Sequence, residues 1–151
     1  MDWYSGCYGL ILNLTSGQKG EGAGRVVGCG FNHPHSLTYW NEKLYLCSSA
    51  TGDFHQCGFD KRGNFINSDP MRITETHFLR GLHKVDGGWI MGGSSRRHQE
   101  KIAETLELYF FEDSSNRVVE TQSINRTAEI YDILPWKAEI MEPIIRRHSL
   151  G

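Results

Sequence analysis

The sequence predicts an all-β chain, a partial β-propeller of about two and a half four-stranded blades, and three observations lead there. Short runs rich in Tyr, Trp, Phe, Val, Ile and Leu recur, separated by turn residues at strand-like spacing. Several of the separators are two-residue hairpin turns. The pattern also repeats: His35-Ser36-Leu37 aligns with Arg80-Gly81-Leu82 at an offset of 45 residues, and that with Tyr131-Asp132-Ile133 at 51, both within blade length.

The first apolar run, Tyr8 to Leu14, ends at Thr15-Ser16-Gly17. Arg25-Val26-Val27 follows a turn and leads into the first opening strand, Ser36 to Trp40, which meets Lys43 to Cys47 across Asn41-Glu42. Gly52-Asp53 introduces Phe54 to Phe59, and Lys61-Arg62-Gly63 turns the chain again. The second round opens with Phe78 to Val85, turns at Asp86-Gly87 and returns through Gly88 to Gly92. Gly92-Gly93-Ser94-Ser95-Arg96-Arg97 lacks the lysine and following helix of a phosphate loop and reads as a loop between strands. Helical spacing within Arg97 to Leu106 leaves a helix or a linking loop open there. Leu106 to Phe111, the turn Ser114-Ser115-Asn116 and Arg117 to Thr121 complete the round, and Glu129 to Trp136 opens a third. Trp40, Val85 and Trp136 align as apolar anchors, and Leu44 and Trp89 are expected to pack between blades.

At 151 residues the chain is expected to form one domain, residues 1–151. A net charge of -2 provides no field for gathering polyanions, so nucleic acid is not the expected partner, and Arg96-Arg97-His98 and Arg146-Arg147-His148 read as solvated surface. No apolar run nears the roughly 20 residues of a membrane span, and the start of the chain lacks a secretory pattern. A cytoplasmic protein with reduced thiols is expected: Cys7, Cys29, Cys47 and Cys57 lack metal-site spacing and read as small buried strand residues. His55, His77, His83, His98 and His148 read as surface or capping groups.

The motifs Asn32-His33-Pro34-His35-Ser36-Leu37, Phe78-Leu79-Arg80-Gly81-Leu82 and Glu129-Ile130-Tyr131-Asp132-Ile133 resemble, in that order, segments of an uncharacterised bacterial β-propeller family. The resemblance covers about residues 30 to 150 and implies that this chain corresponds to the C-terminal half of a longer propeller. That family is distantly similar to six-bladed propellers of the gluconolactonase and strictosidine-synthase kind, whose full metal-ligand set this chain lacks.

Aligning the openings at one end of a channel would bring His33, His35, Arg80, Glu129 and Asp132 together from three blades. Three uses of such a cluster stand open. His33 and His35, in a His-x-His pattern that puts both imidazoles on one strand face, could take a divalent metal ion with Glu129 or Asp132, activating a bound water for hydrolysis. Alternatively, His35, Arg80 and Tyr131 form a ligand site in which the guanidinium grips a carboxylate or phosphate. In the third, Arg80 pairs with Glu129 or Asp132 and simply ties adjacent strands. The expected function is therefore a binding or assembly module for a small acidic ligand or a protein surface, with a metal-dependent hydrolase or lactonase as the alternative. No catalytic residue is identified. Because an isolated arc exposes sheet edges, self-association is also expected.

Overall fold

A computed structural model of the chain describes residues 8–13, 25–62, 64–67, 69–95, 105–125 and 129–135. The all-β expectation holds: every regular element among these residues is a strand, and all pairing is antiparallel. β1 (Tyr8–Asn13) and β2 (Arg25–Asn32) form an N-terminal hairpin sheet. A first meander follows, in the order β3 (Pro34–Trp40), β4 (Lys43–Ser48), β5 (Asp53–Phe59) and β6 (Phe65–Asn67), with the short β7 (Met71–Arg72) also on β5. The second meander is β8 (His77–Val85), β9 (Gly88–Ser95), β10 (Leu106–Glu112) and β11 (Arg117–Ile124).

The turn chemistry explains the meanders. Asn41 and Glu42 both adopt positive φ (48° and 62°), the twist that suits a two-residue hairpin between β3 and β4, and Gly87 does so between β8 and β9. The two opening strands share a further irregularity: β3 bulges between His35 and Thr38, and β8 between Arg80 and Leu82. The bulge residues, Ser36 (φ 58°) and Gly81 (φ 68°), stand 45 positions apart, and the Gly81 N–H donates to Ser36 Oγ at 2.9 Å. A bulge re-aims the strand and consumes a residue at the same place in each unit.

The first meander is covered on both faces, which is why β4 and β5 read as nearly continuous apolar sequence. Toward the hairpin sheet, Leu46 and Cys57 pack with Ile11 and Phe31, and Leu44 and Phe65 lie beside them. Toward the second meander, Tyr45, Cys47 and Phe54 pack with Leu79, Leu82, Trp89, Met91, Tyr109 and Phe111. Trp89 is the hub of this larger core, 4.2 Å from the Tyr45 ring and 5.8 Å from that of Phe54. Leu44 and Trp89 thus occupy the inter-sheet layers expected of them.

A hydroxyl joins each unit to the next. Ser49 Oγ donates to the Leu79 carbonyl at 2.6 Å, bridging the two meanders. Forty-five residues on, Ser94 Oγ donates to the Ile130 carbonyl at 3.2 Å and accepts the Ile130 N–H at 2.8 Å. Leu79 and Ile130 are themselves 51 residues apart. The segment 129–135 accordingly lies on the far face of the second meander, where Gly92 and Gly81 allow close contact with Ile130 and Ile133.

Several expectations need correction. The third opening, within 129–135, is docked but takes part in no strand ladder. Gly92 to Ser95 is not a loop but the end of β9, where the glycines admit neighbours. Trp40 is 52% exposed and anchors no core; with Leu37 and Tyr39 it leaves β3 an exposed apolar surface. Cys29 is exposed, whereas Cys47 and Cys57 are buried as expected. His55 and His77 are buried rather than superficial. His77 accepts or donates hydrogen bonds with Thr76 Oγ1, Tyr109 Oη and the Thr105 carbonyl, and Tyr109 in turn donates to Glu107. Cys7, Trp136, residues 97–104 of the helix-or-loop segment, and the Arg96-Arg97-His98 and Arg146-Arg147-His148 clusters lie outside the described residues. Among the described residues no helix is long and apolar enough to cross a membrane.

Burial of His55 against Phe31 has a measurable consequence. Desolvation lowers its pKa below the ordinary 6.5, outweighing Asp53 and the hydrogen bond to Asn67, which raise it. The unfolded chain therefore takes up the proton first, so the stabilisation is full above 6.5 and is lost as pH falls from there toward the lowered value. His35, also lowered, acts in the same direction. The urea midpoint is expected to drop between about pH 7.5 and about 5.5, less steeply in a His55→Gln variant. An identical slope in the variant would remove His55 as a cause.

Candidate functional site

The bulge in β8 turns Arg80 toward the docked segment 129–135. Its side chain is mostly buried, and Nη1 donates to Glu129 Oε2 at 3.3 Å. The guanidinium lies near two rings, 5.5 Å from the Tyr131 centroid and 5.8 Å from that of Phe78. Each ring lies within the range at which cation–π attraction acts on the guanidinium. The Nε atom is buried and makes no hydrogen bond among the described residues, an unusual state for a charged donor.

His35 lies near enough to Arg80 for the two to interact electrostatically. Its pKa is held below the ordinary value, first by desolvation and then by the positive charges of Arg80 and His33. The imidazole is therefore neutral at neutral pH and gains a charge only in acid. Of the expected ligand set, His35, Arg80 and Tyr131 are consequently brought to one region by β3, β8 and the docked segment.

The other expected residues have separate commitments. His33 precedes β3 at φ 53°, so the simple two-residue alternation that would align it with His35 does not apply, and its Nδ1 is 2.7 Å from Asn32 Oδ1. Asp132 is exposed and its Oδ1 accepts the Ile133 N–H at 2.8 Å. Glu129 is the partner of Arg80, one of the two pairings foreseen for it. Among the described residues no three His, Cys, Asp or Glu side chains are grouped as a metal site would need.

Two contributors were not singled out from sequence. Phe78, the second ring beside Arg80, stands two positions before it in β8 and so shares its strand face, a relation legible from alternation alone. Ser94, which holds Ile130 and with it the segment bearing Glu129 and Tyr131, lies at the repeat offset from Ser49. Carrying the alignment of openings into the neighbouring strands would have found it. No family model, curated protein or solved structure matches this chain.

Proposed function

We propose that the chain is an arc of a β-propeller and that it serves as a binding module, taking a small carboxylate at Arg80. The propeller reading draws its support from two successive antiparallel meanders, of five and four strands, the first joined to the second by Ser49 and the second to the segment 129–135 by Ser94. The observation that carries the binding reading is the buried Arg80 Nε, which has no acceptor among the described residues, on a guanidinium close to Phe78 and Tyr131. Glu129 engages Nη1, so a ligand carboxylate would approach the Nε edge and supply the missing acceptor. Tyr131 is 67% exposed and is the ring that would turn aside to admit it. The metal-dependent hydrolase has less support, since Glu129 and Asp132 already have partners.

Titration calorimetry with benzoate and succinate tests the reading. Arg80→Gln is expected to weaken binding by at least about tenfold, and Arg80→Lys nearly as much, because a lysine lacks the planar fork. Affinity is expected to rise as acid protonates His35. Equal binding by wild type and both variants would sink the assignment to Arg80.

A further inference from the structure

A hydroxyl and a base stand together where the chain enters the second meander. Thr76 is exposed and immediately precedes β8; His77, the first residue of that strand, is 3% exposed. Strand alternation puts His77 on the face opposite Phe78 and Arg80. Glu107 and Tyr109 stand two positions apart on β10 and so share a face, and they reach His77 across β9 because Gly93 lies between. A Cβ on Gly93 would meet Tyr109 Cε2 at 2.8 Å and His77 Cβ at 3.0 Å.

The hydrogens of this cluster follow from its partners. A carbonyl only accepts, so the 3.2 Å contact with the Thr105 carbonyl places a hydrogen on His77 Nε2. In the neutral ring Nδ1 is then the acceptor, and two hydroxyls face it: Thr76 Oγ1 at 2.9 Å and Tyr109 Oη at 3.3 Å. Tyr109 has one hydrogen, and it goes to Glu107. Burial first, and then that bond, raise the Tyr109 pKa, so the hydrogen stays in place at neutral pH. Thr76 is therefore the donor to Nδ1. A hydroxyl bonded to an imidazole whose other nitrogen is held by a third group is an activated nucleophile. Glu107 Oε2 lies 3.6 Å from Nδ1, where its charge stabilises the cation formed when the imidazole takes up a proton.

We propose that Thr76 is a nucleophile for acyl transfer, with His77 as its general base and esters carrying a good leaving group as its substrates. Thr76 Oγ1 attacks the ester carbonyl, and its bond to the acyl carbon forms as the bond to the leaving oxygen breaks. The hydroxyl proton passes to His77 Nδ1 and from there to the departing oxygen, which leaves as an alcohol. Water then attacks the acyl-threonine; His77 takes one of its protons and returns it to Oγ1, and the carboxylic acid is released. General-base help of this kind is typically worth about 10²–10⁴ in rate, which suits activated esters rather than amides.

Hydrolysis of p-nitrophenyl acetate by the 151-residue chain tests this inference. Wild type is expected to release p-nitrophenolate faster than free imidazole at the same concentration, with an acetyl group mapped to Thr76 in acid-quenched samples. Thr76→Val is expected to lower the release at least about a hundredfold, whereas Thr76→Ser, which keeps a hydroxyl, stays within about tenfold of wild type. His77→Gln is expected to lose as much as Thr76→Val. Because Thr76 is exposed, Thr76→Val keeps the circular-dichroism spectrum of the strands and decides the matter even where the His77 variant fails to fold. Release by Thr76→Val at the wild-type rate would overturn the proposal, as would a wild type no faster than imidazole or acetyl groups found only on lysines. Carboxylate binding at Arg80 stands or falls separately, since it lies on the other face of β8 and calorimetry reads it without any ester.

Discussion

Trp89→Ala is expected to cost about 3–5 kcal/mol, a large share of the about 5–15 kcal/mol that a typical domain has in total. The indole is 1% exposed and is touched from both meanders: Tyr45 and Phe54 approach from one sheet, and Lys84 places Nζ 5.6 Å from the ring centroid on its own. Lys84 is fixed there by Asp113 and by the carbonyls of Val85 and Gly88. Truncation would leave a cavity that Tyr45 cannot fill without leaving its stack with Phe54, whose planes are only 17° apart. Urea unfolding followed by tryptophan-independent circular dichroism measures the loss. A cost under about 1 kcal/mol would show that the two meanders do not share this core.

Gly92→Val is expected to abolish carboxylate binding while leaving most of the strand content. A Cβ on Gly92 would sit 2.5 Å from Ile130 Cγ2 and 2.7 Å from the Arg80 carbonyl oxygen, so the docked segment must lift away. The two Ser94–Ile130 hydrogen bonds would break with it, and Glu129 and Tyr131 would leave Arg80. The stability cost is expected at about 1–3 kcal/mol, and loss of benzoate affinity is the functional readout. Gly58→Val is the matched control: nothing lies within 4 Å of its added Cβ, and a change within about 0.5 kcal/mol is expected. Undiminished binding in Gly92→Val would separate the docked segment from the site.

The sequence made the meanders legible because hairpin turns and strand runs are local. Asn41-Glu42 and Asp86-Gly87 fall where the chain reverses, and the alignment of Ser36 with Gly81 survives as a shared bulge. What escaped was settled by partners distant in the chain. Gly92 and Gly93 read as part of a linking segment once the lysine and helix of a phosphate loop were found missing, yet the approach of Ile130 and Tyr109 requires their lack of side chains. His55 and His77 read as surface groups on polarity alone; Phe31 covers the first, and Thr105 and Tyr109 satisfy the second. At the site, the alignment placed His35, Arg80 and Tyr131 in successive openings, but the pairing of Glu129 with Arg80 in preference to Asp132 depends on how the third opening docks.

The serine contacts also bear on how such a chain tolerates change in length. Ser49 is 30 residues from the carbonyl it holds, and Ser94 is 36 from its own. The same kind of joint therefore closes over intervening segments of different length. Inserted residues in the connections within those segments are expected to cost little loop-closure entropy and leave the next strand's alignment alone. A residue inserted between Ser94 and Gly92, by contrast, would rotate the hydroxyl to the opposite face and cut the following unit adrift.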